Sequence, residues 1–491
     1  MKLKISMGLV GLCAALPAAA ENLAQVYDRA LQVDPTMQEA NFTHLAVREN
    51  RTQALLNMLP LNASASKNWS GISGQGSVNS DALGTVDLSV NLFSWDNWVA
   101  LKAANSTVAQ GEANYVAAQE DLVQRVCTLY FNVLNSQDQL NAQLSALASV
   151  QRQLEQAERR YEVGLIAITD VQSARASRDS TSAQVIAARR TLASSHEQLR
   201  AVTGEKYEEL DGPGENMPLL TPDPSSEDAW VTSALSQNAA LIASRLSADI
   251  SHDNYLTAIG GHLPTITATA SRSWDLQHPN QNQTSTGTGT GSQIGQVVNT
   301  QDIVWSVGVS VPIFSAGATQ SRVRQARYQW KAAQADLERT SRSTEQQARD
   351  AYQGVISQIA QVQALKQAVQ SNQVALQATE AGYDVGTKTA LDVLTARQNL
   401  VTAESNYSSA KYSYLYNIVS LRLAAGTLNR KTIDEINSWL QEQVAVPTTT
   451  PPAPNGPPDT SPAGEPATAT PATTPATQPV APTPAPAPAT P

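Results

Sequence analysis

An internal duplication constrains the fold of this 491-residue chain more than any other feature of its sequence. Residues 161–171 and 383–393 share Tyr, Val, Gly, Asp and Val at identical spacing, and Tyr130 matches Tyr352 further upstream. Self-similarity of this kind indicates two copies of one structural unit.

Each copy combines short strand patterns with very long helical patterns. Residues 112–163 and 399–425 contain neither Gly nor Pro, which favours uninterrupted helix. The predicted long helices cover residues 98–163, 170–203, 318–382 and 389–425. The first of these is roughly 100 Å long at 1.5 Å per residue, longer than any globular core. Apolar residues that step by threes and fours from Leu122 to Tyr161 predict coiled-coil-like packing, although an ordinary two-helix hairpin explains this seam equally well.

Four segments of about ten residues have the alternation of apolar and polar side chains that is typical of half-buried strands. They are residues 61–69, 85–95, 264–274 and 303–314. Tryptophans lie in or beside them, as in the aromatic girdle of membrane-spanning strands: Trp69, Trp95, Trp274 and Trp305. The alternative is a soluble sandwich with one buried face, because each strand pattern is a weak signal for a barrel.

The two ends of the chain have the composition of processing and linker segments. Residues 1–20 combine a basic start, an apolar stretch and an Ala-Ala-Ala site, which predicts a cleaved secretory signal peptide. Cys13 permits a lipoprotein alternative, but Leu12 stands where a small residue is needed. Residues 446–491 are Pro/Thr/Ala repeats that predict a disordered tail. The predicted domains between these ends are the two repeats, residues 21–212 and 213–445.

The composition excludes several classes of function. A formal net charge of −10 without basic stripes argues against nucleic-acid binding. The five histidines lack metal-ligand spacing and no nucleophile motif occurs, so the sequence predicts no enzyme, metal or cofactor. After the signal segment, no stretch approaches the roughly 18 apolar residues of a spanning helix, so a membrane role requires the strands.

The number of strands predicts an oligomer. Four strands cannot cross a bilayer alone, because an open sheet leaves backbone N–H and C=O groups in hydrocarbon. Closure takes at least about eight strands, so two, three or more chains must share one barrel. The competing interpretation is a periplasmic coiled-coil scaffold or adaptor with a soluble β-domain.

The doubled Tyr-x-Val-Gly motif and the order of strands and helices resemble the outer-membrane efflux family of TolC-like proteins, over nearly all of residues 21–440. The resemblance implies an α+β membrane protein: a homotrimer with a 12-stranded outer-membrane β-barrel, four strands per chain, continuous with a long periplasmic α-helical barrel. It also implies contact with outer-membrane lipid, a periplasmic adaptor (membrane fusion) protein, and an inner-membrane efflux pump or ABC secretion transporter. The implied activity is drug efflux or type I protein secretion.

The same resemblance assigns roles to residues near the periplasmic helix tips, whose iris-like movement opens the channel. It implies that Asp170 pairs with Tyr383 and Thr169 with Lys388 to hold the inner helices closed. Lys388 stands where the best-known member has Arg, which weakens that link by removing the planar fork. The implied adaptor-contacting residues are Val163, Gly164, Leu165, Val385, Gly386 and Thr387.

Asp392 is the implied selectivity residue. In the family pattern it projects into the constriction, where a ring of carboxylates attracts cations. Thr395 replaces a second Asp of that pattern, so the ring is single and its field weaker. A solvated or helix-capping carboxylate is the alternative for Asp392.

Overall fold

The structure is a computed structural model that describes residues 21–58, 61–71, 78–207, 209–214, 217–275 and 303–445. The predicted signal peptide 1–20 and tail 446–491 lie outside the described residues. The side chains of residues 61–71, 78–85, 273–275 and 441–445 also lie outside the description.

The helices repeat in length as well as in order. In chain order they are α1 Leu23–Val33, α2 Pro35–Leu56, α3 Trp95–Glu162, α4 Ile168–Thr203, α5 Glu227–Gln237, α6 Ala239–Gly260, α7 Ala318–Asp384, α8 Ala390–Ala424 and α9 Arg430–Asn437. Helices α1 and α5 have 11 residues each, and α2 and α6 have 22. Helices α3 and α7 have 68 and 67 residues, or about 100 Å. Among the described helices, none is both long and apolar enough to cross a membrane.

The strands are β1 Leu61–Gly71, β2 Val78–Phe93, β3 Glu209–Pro213, β4 Thr265–Asp275, β5 Ile303–Ser310 and β6 Leu440–Ala445. Four of them form an antiparallel sheet in the order β1-β2-β4-β5, so the pairing of β2 with β4 joins the two copies. This order leaves β1 and β5 at the two edges of the sheet.

Three strand ends differ markedly from the prediction. Strand β2 begins at Val78, seven residues before the predicted start at residue 85. Residues 311–314 are irregular rather than part of β5, because Pro312 has no N–H to donate to a ladder. Trp95 begins α3 rather than ending β2, and its indole N–H donates to the carbonyl of Leu256 in α6 at 3.1 Å.

A second, two-stranded sheet was not predicted from the sequence. Strand β3 pairs antiparallel with β6, so the segment between the copies is tied to the end of the described chain. The predicted boundary between residues 212 and 213 therefore falls inside a strand. Sequence periodicity could not reveal this sheet, because the five residues of β3 include Gly212 and Pro213 and show no strand alternation. Its formation depends on β6, which is distant in sequence.

The main apolar core surrounds the middle of the long helices. Tyr130 and Tyr414 are the largest fully buried side chains, and α1, α9 and β3 contribute to the same cluster. The Tyr130 hydroxyl donates to the carbonyl of Asp211 at 2.7 Å, and its counterpart Tyr352 donates to the carbonyl of Ser225 at 2.8 Å. The matched tyrosines of the two copies thus both anchor the segment that connects them.

Candidate functional site at the helical hairpin tips

Helices α3 and α4 form a first hairpin, and α7 and α8 form a second hairpin. Each is closed by a glycine in the left-handed region, with φ of 75° at Gly164 and 80° at Gly386. The amide of Leu165 donates to the carbonyl of Arg160 at 2.8 Å, and the equivalent bond from Thr387 is also 2.8 Å. Both tips are Schellman-type helix ends, which favour Gly because a Cβ is strained at positive φ.

The tips expose apolar side chains. Val163, Leu165 and Val385 have 70%, 73% and 75% of their surface exposed. A Cβ built on Gly164 or Gly386 meets nothing within 4 Å, so both turns are open on the outside. In the isolated chain the tips are therefore accessible to another protein. Their contact with an adaptor stays a prediction.

Each hairpin carries one ion pair near its tip. Arg175 of α4 pairs with Glu158 of α3 at 3.2 Å, and Arg397 of α8 pairs with Glu380 of α7. The partners are 17 residues apart in both copies. These pairs were not singled out from the sequence, although an acid and an arginine that recur at equal spacing around both tips are a usable signal.

One arginine connects the two hairpins. The guanidinium Cζ of Arg160, in the last turn of α3, lies 4.8 Å from the ring centroid of Tyr383, and its Nη2 lies 3.5 Å from Asp384 Oδ1. A nearby amide contact, from Gln153 Nε2 to the carbonyl of Ala390, is 3.5 Å long. Sequence reasoning missed Arg160, because only the packing of the two hairpins brings it to α7.

The residues predicted to close the tunnel lie in the same region, but the predicted pairs form no hydrogen bonds in the described part of this single chain. Asp170 and Tyr383 line one groove of about 240 Å³ between the hairpins. In the described part of this single chain, no hydrogen bond joins Asp170 to Tyr383 or Thr169 to Lys388. These two links remain predictions.

Asp392 belongs to a capping box at the start of α8. The amide and hydroxyl of Thr389 donate to Asp392 Oδ2 at 2.8 and 2.9 Å, and the amide of Asp392 donates to Thr389 Oγ1 at 3.2 Å. These donors, with a smaller contribution from nearby Lys388, lower the pKa of Asp392 below its ordinary value. Asp392 is exposed. The contacts of this single chain show its capping role, and its place in a pore ring remains a prediction. Thr395 donates its hydroxyl to the carbonyl of Leu391 at 2.8 Å and is exposed one turn further along.

The first copy lacks this box. Its N-cap is Ala167, which has no side-chain acceptor, so nothing equivalent to Thr389 holds Asp170. The half-buried Asp170 carboxylate is therefore not committed to capping α4. Ala in place of Thr at the N-cap therefore removes the capping partner from the matched aspartate of the first copy.

The predicted membrane girdle is described only in part. Trp305 lies in β5 with 77% of its surface exposed, and Trp95 is partly exposed where α3 begins. The side chains of Trp69 and Trp274 lie outside the description. Among residues whose positions are described, no group of three or more His, Cys, Asp or Glu could hold a metal ion.

Comparisons with known proteins agree on one family. The profile of the outer membrane efflux protein family matches residues 26–205 and 230–427. The chain is 35% identical over 424 residues to the outer membrane protein TolC of Vibrio cholerae serotype O1, which covers 86% of this chain and 94% of that protein. It is 34% identical over 430 residues to TolC of Escherichia coli K12, with 87% and 86% covered.

A solved structure agrees in fold. The outer membrane protein VceC of Vibrio cholerae superimposes with a TM-score of 0.68 at 20% identity, covering 82% of this chain and 96% of that one. At this identity the likeness concerns the fold alone.

Proposed function

The chain belongs to the outer membrane efflux protein family, and we propose that three copies assemble into one channel whose twelve strands close a single barrel. The protein is an outer-membrane efflux or secretion channel that extends into the periplasm, and it is not an enzyme. It has the largely helical fold of the outer-membrane channel-tunnels.

The exposed apolar face of β5 is the observation that carries the proposal. Ile303, Trp305, Val307 and Val309 alternate along the strand, and each has at least 60% of its surface exposed. A soluble sandwich buries such a face, whereas a membrane-spanning strand turns it toward lipid. The edge positions of β1 and β5 support oligomerisation, since each edge strand has backbone groups free to pair with a neighbouring chain.

The length and polarity of the hairpins support a periplasmic tunnel. Each hairpin has one helix of about 100 Å, and two such hairpins from each of three chains are long enough to line a duct that crosses much of the periplasm. We assign the exposed tips Val163–Leu165 and Val385–Thr387 to contact with a periplasmic adaptor, which links the duct to an inner-membrane efflux pump or secretion transporter.

Opening of the tunnel is assigned to the second hairpin. In the assembled trimer, Asp170 and Thr169 hold Tyr383 and Lys388 in the closed state, and Asp392 faces the pore. The groove that Asp170 and Tyr383 both line supports this assignment, because it places the two side chains in the same region between the hairpins.

Membrane fractionation of a matched pair of variants tests the assembly. Wild-type protein should be recovered from the outer membrane as a detergent-requiring trimer that forms channels in planar bilayers. Val307→Arg places a charge on the proposed lipid face, at a cost of about 2–4 kcal/mol near the bilayer midplane, and should abolish insertion. Ser306→Arg, on the opposite face of β5, should insert normally. Recovery of wild-type protein as a soluble periplasmic monomer would identify a scaffold instead.

A further inference from the structure

We propose that Arg160 is a positioning residue that latches the second hairpin against the first within each chain and so stabilises the closed tunnel. The proposal rests on the channel function assigned above. It adds a link that is distinct from Asp170, Thr169 and Lys388, and it identifies the side chain whose contacts must break when the hairpins separate.

The contacts of Arg160 reach two consecutive residues of the opposite hairpin. Its guanidinium lies over the ring of Tyr383, 4.8 Å from the centroid, and also faces the carboxylate of Asp384 at 3.5 Å. A planar, permanently charged guanidinium is suited to make a cation–π contact and an ion pair at the same time. Arg160 lies in the last turn of α3 and both partners lie in the last turn of α7, so the link joins the two tips directly.

The other ion pairs at the tips do not connect the hairpins. Glu158 with Arg175 and Glu380 with Arg397 each join the two helices of one hairpin. They keep each hairpin together while it moves. Separation of the second hairpin from the first therefore leaves these pairs intact and breaks the contacts of Arg160.

A second contact between the hairpins lies further along α3, away from the tips. Asp138 of α3 accepts hydrogen bonds from Ser408 and from Tyr412 of α8, at 2.5 and 2.9 Å. The stretch of α3 from Asp138 to Arg160 is about 33 Å long at 1.5 Å per residue. If the second hairpin pivots at Asp138, the largest displacement occurs at its tip, where Arg160 holds it.

The exposure of the link suits a reversible latch. Side-chain exposure is 36% for Arg160 and 73% for Asp384, so water and salt screen the ion pair. A partner that docks on the neighbouring tip residues can compete for either side chain. The latch is therefore strong enough to bias the closed state and weak enough to be released.

Single-channel recording of the full-length protein in planar bilayers tests the latch, with variants compared at equal trimer content. Arg160→Gln should raise the open-state population by about five-fold, the factor expected from loss of one exposed ion pair with a cation–π contact. Arg175→Gln is the matched control: it removes an arginine of the first hairpin's own ion pair and should leave the open population unchanged. Arg160→Lys should restore part of the wild-type closure, because it keeps the charge without the planar group.

Two further variants separate the latch from the other closing links. Tyr383→Phe keeps the ring beneath Arg160 and removes only the hydroxyl, whereas Tyr383→Leu removes both. Combined with Arg160→Gln, Tyr383→Phe should add a further opening effect and Asp384→Asn should add almost none. Asp384→Asn removes the α7 partner of the same ion pair, so it tests the latch independently if Arg160→Gln does not assemble.

The outcomes distinguish this inference from the channel assignment. Equal open populations for wild type, Arg160→Gln and Asp384→Asn, in protein that does form channels, would overturn the latch alone. Equal opening by Arg160→Gln and Arg175→Gln would also overturn it, since the effect is then a general loss of positive charge. Absence of channels from the wild type itself would overturn the channel function, and the latch with it.

Discussion

Thr389 and Asp392 cap the first turn of α8 reciprocally, with three hydrogen bonds of 2.8 to 3.2 Å between them. The matched position in the first copy is Ala167, which forms no such box with Asp170. The two hairpins thus share a backbone design but present their matched aspartates differently, one committed to its own helix and one open to a partner.

Protection of the Thr389 amide should depend on pH. The pKa of Asp392 is lowered, so the stability that its carboxylate contributes is present above the ordinary value of 3.8 and is lost as the pH falls through the lower folded value. Hydrogen exchange should show protection of this amide at neutral pH that declines below about pH 3.8. Asp392→Asn should remove the pH dependence. A pH-independent protection in the wild type would contradict the capping box.

Cation selectivity should depend on Asp392 and respond to Thr395. Asp392→Ala removes the proposed carboxylate ring and should lower the cation-over-anion permeability ratio, measured as the reversal potential in a salt gradient. Thr395→Asp places a second carboxylate one turn along the same exposed stretch of α8 and should raise the ratio. An unchanged reversal potential in both variants would exclude a pore-lining position for this stretch.

Loosening of the proposed closing links should increase conductance. Tyr383→Phe removes the hydroxyl that donates to Asp170 in the proposed link. Lys388→Ser removes the ammonium group that donates to Thr169. Each link contributes about 1 kcal/mol, so each variant should raise the open population about five-fold. The free-energy effects of the two substitutions should be close to additive in the double variant. Planar-bilayer recording measures this, and Lys411→Ser, a lysine elsewhere on α8 that lies 5.5 Å from the ring of Tyr407, is the control.

Asp34 should be more important for stability than its small size suggests. Its buried carboxylate accepts from the amide of Met37 at 3.1 Å, which caps α2, and pairs with Arg125 at 2.7 Å. Asp34→Ala removes the cap and deprives Arg125 of its carboxylate partner, so the free energy of unfolding should fall by about 3 kcal/mol. Asp34→Asn keeps a side-chain oxygen that can cap α2, so it should lower the free energy of unfolding by less.

Asp28→Ala provides the contrast for that measurement. Asp28 pairs with Arg430 at the surface, where removal of an exposed ion pair costs about 1 kcal/mol or less. Thermal unfolding followed by circular dichroism compares the three variants. An equal shift for Asp34→Ala and Asp28→Ala would mean that burial does not strengthen the Asp34 contacts.

The large elements could be predicted because their signals are local. The absence of Gly and Pro from 112–163 predicted most of α3, and the doubled Tyr-x-Val-Gly motif located both tips. Element ends differed where local capping decided them: α7 continues to Asp384, two residues beyond the prediction, because the Schellman bonds at Gly386 close only after that turn.

The family assignment was also available from the sequence, and the comparisons confirm it. Much less of the site could be anticipated. The motif predicted which residues lie at the tips, but the capping role of Asp392 depends on Thr389 and was only an open alternative. The contact of Arg160 with Tyr383 could not be anticipated, because the two residues belong to different copies and no local pattern relates them.

The duplication, the approximate span of the long helices and the position of the glycine turns could all be predicted from the amino-acid sequence, because backbone conformation there depends on nearby residues. The folded chain was needed to show that β3 pairs with β6, that β2 pairs with β4 across the copies, and that Arg160 reaches α7. These contacts join residues distant in the chain, and their formation depends on how whole hairpins and strands pack against one another.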